Sequence, residues 1–135
     1  MELAWGPPGG MDASIDREPI ADAESLDARL DTLEEIGREA EPFVVELADP
    51  EAGTVGIVVG REWSAATHER ADGAPPYLVN AGDPALGPDP LAFFHSGHWT
   101  ELPGEAAIPI ADAREALRAF LRERRVPESI RWEET

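Results

Sequence analysis

The residues best suited to chemistry are two histidines, His95 and His98, in the tetrad H-S-G-H. Two imidazoles could hold a transition metal if a third ligand converged on them. Gly97, however, predicts a turn between them, and no helical H-E-x-x-H pattern is present. We therefore expect two histidines at the tip of a hairpin and assign no metal ligand. The residues that could supply a third ligand are His68, Asp83 and Glu101.

Ser96 lies between the two histidines and could in principle be a nucleophile. Neither a G-x-S-x-G sequence nor a strand-to-helix elbow surrounds it, because another strand is predicted to follow. Gly56 and Gly60 lie in or beside a predicted strand and lack the lysine and the helix of a phosphate-binding loop. Cysteine is absent, which excludes disulfides, thiolate nucleophiles and cysteine zinc sites. We assign no catalytic residue and no cofactor, and we expect a protein that is not an enzyme.

Aromatic side chains point instead to recognition of another protein. Neighbouring residues of a strand face opposite sides, so Phe93 and Phe94 cannot both point into the core. One of them, together with Trp99, would then be an exposed anchor ringed by carboxylates, as interface hot spots often are. The expected partner-binding residues are Trp63, Tyr77, Asp83, Asp89, Phe94, His95, His98 and Trp99.

Two amphipathic helices must help to position these residues. The first is predicted from about residue 23 to 40, where Asp22 or Ser25 can cap its N-terminus. Its carboxylates Asp27 and Asp31 lie off the apolar face, which predicts a solvated surface. The second is predicted from residue 110 or 112 to about 124. The predicted apolar faces comprise Leu26, Leu30, Leu33, Ile36 and Ala40 in the first helix, and Ile110, Ala113, Leu117, Phe120 and Leu121 in the second.

Predicted strands outnumber the helices, and most of their connections are short and hairpin-like. This pattern predicts an α+β fold, with a mainly antiparallel β-sheet of about five to seven strands and two amphipathic helices packed on it. Residues 18–135 form the predicted single domain. Residues 1–17 are rich in Gly and Pro and are predicted to be a flexible N-terminal arm, with Met1 or Met11 as the native start. The predicted strands cover residues 18–21, 43–48, 54–60, 62–67, 77–81, 91–95, 98–102 and 129–133.

The chain of 135 residues has a formal net charge of −17. Phosphate carries the same sign, so direct binding of nucleic acid is not expected. A basic protein partner is favoured, because opposite charges speed encounter, although solubility alone would also explain the charge. No apolar run reaches the roughly 18 residues of a membrane span, and the N-terminus lacks the apolar stretch of a signal peptide. We therefore expect a cytoplasmic protein that is monomeric when free and does not bind membranes.

The order of these elements and several sequence blocks resemble a known family. An amphipathic L-x-x-x-L-x-x-L helix is followed by F-V-V-E-L, V-G-I-V-V-G, Y-L-V-N-A-G-D, L-A-F-F-H and W-T-E-L-P. The most specific blocks come last, namely a proline before the helix A-R-E-A-L-R-A-F-L and the strand P-E-S-I-R-W. Over residues 18 to 134 the chain resembles immunity protein family one of bacterial polymorphic toxin systems. It departs from the family after Arg61, where W-S-A-A replaces the tyrosine-rich strand that such proteins often carry.

The resemblance implies a function. Members of that family accompany secreted toxins, chiefly nucleic-acid deaminases, and neutralise them in the cell that makes them. It implies a cognate toxin with a basic surface as the partner, and occlusion of the toxin's active site and basic substrate groove as the mechanism. Two alternatives remain open, namely a small metal-dependent enzyme that uses His95 and His98, and a scaffold or regulatory binding module with no toxin partner.

Overall fold

The computed structural model describes residues 1–6 and 15–135. Two α-helices and eleven short strands lie in these ranges. The helices are α1 (Ala23–Glu39) and α2 (Ile110–Glu123). The strands are β1 (Glu2–Trp5), β2 (Asp16–Pro19), β3 (Phe43–Asp49), β4 (Gly53–Val59), β5 (Trp63–Ser64), β6 (Ala66–Glu69), β7 (Leu78–Asn80), β8 (Leu91–His95), β9 (His98–Leu102), β10 (Ile108–Pro109) and β11 (Trp132–Glu134).

In the described part of the chain, nine of these strands form one sheet. Its continuous path is β11-β7-β6-β4-β3-β1-β2, and each neighbouring pair along it is antiparallel. The hairpin of β8 and β9 is attached to β3 through one parallel residue pair, Phe43 with Phe94. Strands β5 and β10 pair separately. The prediction of an α+β fold with two helices on a mainly antiparallel sheet is therefore confirmed, with more and shorter strands than expected.

The strand predicted at residues 62–67 is divided in two at Ala65, directly after Ser64. The hydroxyl of Ser64 accepts a hydrogen bond from the backbone N–H of Val58 at 3.1 Å and donates one to the carbonyl of Val58 at 2.6 Å. The N–H of Val58 also donates to the backbone carbonyl of Ala65 at 3.2 Å, so the side chain of Ser64 adds to a backbone contact where the chain separates into β5 and β6.

Both helices pack on one face of the main sheet. Leu30 of α1 and Phe120 of α2 are fully buried there against residues such as Val45. Ile36 was predicted on the same apolar face but is 42% exposed. At 3.6 residues per turn, Ile36 lies roughly 80° from the stripe centred on Leu26, Leu30 and Leu33, and Gly37 occupies the centre instead. Ala40 lies beyond the last helical turn and is also exposed.

The two helices are joined by ion pairs. Asp27 and Asp31 lie on a solvent-accessible surface as predicted, with side chains 36% and 71% exposed, and they also contact arginine side chains of α2. The guanidinium of Arg114 in α2 lies 2.7 Å from Asp31, 2.9 Å from Glu34 and 3.3 Å from Asp27. Arg118 lies one turn further along α2 and contacts Asp27 at 2.9 Å. The carboxylates of α1 therefore fix the position of α2, because the arginines spaced four apart reach across to them.

The opposite face of the sheet is partly covered by the β8–β9 hairpin. Val44 and Val58, which alternate with the helix-facing residues of β3 and β4, pack against Leu91 and Phe93 of β8. The segment Gly104–Ala106, a short 3₁₀ turn, completes this second and smaller core. The chain therefore buries apolar residues on both faces of its central strands.

The prediction of a flexible arm is wrong for Glu2–Trp5, which form β1. This strand lies between β2 and β3 and is hydrogen-bonded to both. Leu3 is fully buried in the helix-side core, so the strand is held by side-chain packing as well as by backbone pairing. Residues 7–14, which include Met11, lie outside the described residues.

Candidate partner-binding site

The β8–β9 hairpin carries four of the eight predicted binding residues. Its strands are joined by a two-residue turn in which Ser96 and Gly97 both have positive φ, 51° and 82°. These values are those of a type I′ turn, whose twist matches the twist of antiparallel strands. The register runs from Leu91 opposite Leu102 to His95 opposite His98. Residues that face each other across the hairpin therefore share a side, and successive pairs alternate between the two sides. The inner side faces the smaller core and includes Phe93, and the outer side faces away from it.

Phe94 and Trp99 lie side by side on the outer side of the hairpin. Their ring centroids are 4.9 Å apart and the rings meet edge to face at 71°. Trp99 is 53% exposed, whereas Phe94 is half-buried because it also packs against the helix-side core. Phe93, its neighbour, is buried on the inner side. The prediction that Phe93 and Phe94 face opposite sides is confirmed, and the outer side presents an aromatic pair to solvent.

The inner side of the hairpin tip is tied to the sheet by His95. Its Nε2–H donates a hydrogen bond to Oε1 of Glu46 at 3.1 Å. This hydrogen bond raises the pKa of His95 above its ordinary value of 6.5, while partial burial opposes the rise and the charges of Glu46 and Glu69 add to it. Glu46 was not among the predicted site residues. The sequence does carry a signal for Glu46, because it is the single carboxylate in the otherwise apolar run F-V-V-E-L. The alternation of side chains along a strand places it on the sheet face without helices.

The acidic loop before β8 lies at the base of the hairpin. Asp89 accepts a hydrogen bond from the N–H of Gly104 at 3.0 Å, so it joins the chain entering β8 to the chain leaving β9. Asp83 accepts one from the N–H of Ala85 at 2.9 Å, and its own N–H donates to the carbonyl of Ala107 at 2.8 Å. Both side chains remain exposed. Five residues of strand separate this base from the tip, a length of about 16 Å.

Trp63 and Tyr77 lie away from the aromatic pair. Trp63 is half-buried in the smaller core, and its side chain leaves little room beside Gly87, where an added Cβ would meet it at 3.1 Å. Tyr77 is exposed next to β7, and its hydroxyl donates to the carbonyl of Gly73 at 2.9 Å. Because β7 is three positions from β3 along the sheet, Tyr77 belongs to a different edge from the hairpin.

The three residues considered as a third metal ligand do not join the histidines. His68 is buried on the helix side, where its ring contacts Phe120 and its Nε2–H donates to the carbonyl of Ala52. Glu101 faces Ala92 and so lies on the outer side of the hairpin, opposite to His95. Asp83 belongs to the loop at the base. Within residues 1–6 and 15–135, no group of three His, Asp or Glu side chains could hold a metal ion.

Ser96 and the two glycines considered for phosphate binding have structural positions instead. Ser96 occupies the first position of the tight turn, and the hydrogen bonds of the described residues do not link its hydroxyl to a base. An added Cβ on Gly60 would lie 2.8 Å from the Cα of Gly37, where α1 crosses the end of β4. Gly56 lies beneath the hairpin beside a cavity of about 80 Å³.

Comparison with known proteins places this architecture in a family. The family model of Immunity protein Imm1 matches residues 15–134. The chain belongs to the Imm1 immunity protein family. The resemblance inferred from the sequence blocks is thereby confirmed, and membership implies a cognate toxin as partner and an inhibitory rather than enzymatic role. A search of the curated proteins found no match.

The Imm1 match spans both helices, the β8–β9 hairpin and β3 to which the hairpin is tied. It begins after β1, so the pairing of Leu3 and its neighbours with β3 lies outside the family region. In the described residues of this Imm1 protein, no helix is long and apolar enough to cross a membrane.

Proposed function

We propose that this protein is a cytoplasmic immunity protein that binds a cognate secreted toxin and neutralises it in the producing cell. The observation that carries the proposal is the match of the Imm1 family to nearly the whole chain. The exposed edge-to-face pair of Phe94 and Trp99 supports it, because aromatic side chains at a protein surface are frequent anchors of interfaces.

The toxin that fits best is a nucleic-acid deaminase. Such an enzyme needs a basic groove for its substrate and a pocket for the extruded base. A net charge of −17 is complementary to such a groove and opposes binding of nucleic acid by the immunity protein itself. Occupying the groove would exclude the substrate without any reaction by the inhibitor.

The hairpin tip is the proposed point of insertion. Phe94 and Trp99 would lie at the centre of the contact, where burial of large apolar side chains stabilises a complex most. His95 and His98 lie on the other side of the hairpin tip, where His95 holds the tip against Glu46 and the exposed His98 offers a ring N–H donor. Asp83 and Asp89, at the base of the hairpin, would lie at the rim and mainly accelerate encounter.

The experiment is an inhibition titration. The toxin encoded by the neighbouring gene is purified, and its deamination of single-stranded DNA and of RNA is measured as this protein is added. We expect activity to be lost at a one-to-one ratio. Absence of binding at micromolar concentration would overturn the immunity function. Binding to a toxin with a different activity would overturn only the deaminase assignment.

A further inference from the structure

The main sheet leaves β9 as an unpaired edge. In the described part of the chain, β9 pairs with β8 alone, and the other free edges are β2 and β11 at the two ends of the strand path. An exposed edge presents backbone N–H and C=O groups to which a further strand can be added. Proteins that do not use an edge in this way usually protect it with charge, proline or short length.

The edges β2 and β11 have such protection. Strand β2 ends in Pro19, and its Arg17 and Glu18 form ion pairs with Glu2 and Arg29. Strand β11 has only three residues, and its last two are glutamates. Strand β9 is longer than either, with five residues, H-W-T-E-L, and it has one carboxylate, Glu101, and no proline, lysine or arginine. It is therefore the least protected edge of the sheet.

The register shows which backbone groups of β9 are free. The N–H of Phe94 donates to the carbonyl of Pro42 at 2.9 Å, so the backbone of Phe94 points away from β9. Phe94 and Trp99 therefore form a non-hydrogen-bonded pair, and the backbone of Trp99 points away from β8. The backbone N–H and C=O of Glu101, two residues further on, also point away from β8. No hydrogen bond to these four backbone groups is found among residues 1–6 and 15–135.

We propose that β9 receives an extended strand of the toxin, which pairs with the backbone of Trp99 and Glu101. The proposal rests on the toxin-binding function and assigns its binding mode. On the outer side of the hairpin, the side chains of Trp99 and Glu101 lie two residues apart with Phe94 beside them. The added strand would carry an apolar residue opposite Trp99 and an arginine or lysine opposite Glu101, because opposed side chains interact across a strand pair.

Charge decides between a toxin strand and a second copy of this chain. Two copies paired through β9 would bring together two proteins of net charge −17. A strand from a basic partner removes this repulsion and adds an attraction to Glu101. The proposal therefore commits to the toxin, and a β9-mediated dimer is an outcome that the test detects.

Two substitutions at one position separate backbone pairing from side-chain contact. Glu101→Ala removes the carboxylate and keeps the N–H, whereas Glu101→Pro also removes the N–H that faces the open edge. Neither touches the hydrogen bonds to β8, so both variants should remain folded. We expect Glu101→Pro to bind the catalytically inactivated toxin at least roughly tenfold more weakly than Glu101→Ala, a difference of about 1.4 kcal/mol. Equal affinity of the two variants would overturn the proposal.

Amide hydrogen exchange of the wild-type protein gives a second test, which holds even if the proline variant unfolds. The amides of Trp99 and Glu101 should exchange rapidly in the free protein and slowly in the complex, while Thr100, which faces β8, is protected in both. Unchanged exchange at Trp99 and Glu101 in a complex that does form would overturn strand addition and leave the immunity function standing. Failure of the wild-type protein to bind the toxin would remove both. Protection that appears in the free protein together with a dimeric mass would favour the second copy.

Discussion

The imidazole of His95 and the carboxylate of Glu46 join the tip of the β8–β9 hairpin to the central strand β3, with Nε2 and Oε1 3.1 Å apart. The two residues are 49 positions apart in the sequence. His95 is on β8, and β8 pairs with β9, the strand that carries Trp99. The protonation state of this imidazole therefore affects the position of the proposed binding surface.

The hairpin tip should be held more firmly at acidic than at alkaline pH. The hydrogen bond to Glu46 raises the pKa of His95 in the folded protein above 6.5. A raised folded-state pKa gives a stabilising contribution that is full below the unfolded value and is lost as pH rises through the folded value. NMR titration should show a His95 pKa above 6.5, and Glu46→Gln should lower it. A His95 pKa that Glu46→Gln leaves unchanged would contradict the assignment.

Removing Arg114 should destabilise the protein considerably. Its side chain is 13% exposed and contacts Glu34, which is 12% exposed, so Arg114→Ala leaves a nearly buried carboxylate without its partner. We expect a loss of roughly 2–4 kcal/mol in the free energy of unfolding. The control is Arg38→Ala, which breaks the exposed pair with Glu35 and should cost less than about 0.5 kcal/mol. Urea unfolding of the two variants measures the difference, and similar losses would contradict the prediction.

Gly37→Ala should lower stability although alanine favours helices. The added Cβ would lie 2.8 Å from the Cα of Gly60, where α1 crosses β4. Helix propensity alone would stabilise the variant by about 1 kcal/mol. We expect instead a net loss of roughly 1–3 kcal/mol from overpacking, measured by thermal or denaturant unfolding. A gain in stability would show that the two backbones can move apart without cost.

Trp99→Ala should weaken toxin binding without unfolding the protein. Trp99 is 53% exposed, so its truncation removes little from the core, whereas loss of a central aromatic anchor typically costs about 2 kcal/mol or more. We expect at least a roughly tenfold rise in Kd. Ile36→Ala, at an exposed apolar residue of α1, is the matched control and should bind normally. Normal binding of Trp99→Ala would place the contact elsewhere.

Phe94→Ala should also weaken toxin binding, with some loss of stability because Phe94 packs partly against the core.

The association rate should fall steeply as the salt concentration rises. If the toxin groove is basic, the charge of −17 accelerates encounter, and ions screen exposed charges beyond about 8 Å at physiological ionic strength. Stopped-flow or surface-based kinetics from low to high salt measure the effect, with the dissociation rate as the internal reference. An association rate that does not change with salt would mean that the acidic surface serves solubility alone.

The local elements of the fold could be predicted from the sequence because their signals are local. The spacing of Leu26, Leu30 and Leu33 defined α1, and the side chain of Asp22 caps it at 2.8 Å from the N–H of Ser25 as expected. The bounds of β8 and β9 were predicted to the residue, since Ser96-Gly97 marks a tight turn between two β-forming runs. Alternation likewise assigned Phe93 and Phe94 to opposite sides.

The position of β1 depended on contacts that no local pattern contains. The segment Glu2–Trp5 precedes a Gly- and Pro-rich run and is too short to show a helix or strand pattern. In the structure it nevertheless pairs with both β2 and β3, and Leu3 is buried. A four-residue strand gains its stability from the neighbours on both sides, and those neighbours are separated from it by up to 46 residues of chain. The pairing of β1 therefore depends on the strand order of the assembled sheet, which the local sequence of β1 does not specify.

The sequence by itself determined the charge, the helices, the hairpin and the family resemblance, because composition and short-range periodicity carry that information. Only the tertiary structure decided which of the predicted binding residues lie together. It gathered Phe94, His95, His98 and Trp99 at the hairpin tip, placed Trp63 in the smaller core, and moved Tyr77 to another edge of the sheet. It also paired His95 with Glu46 and Arg114 with Glu34. Long-range pairs of this kind depend on strand order and helix packing, which a single sequence does not encode in any local pattern.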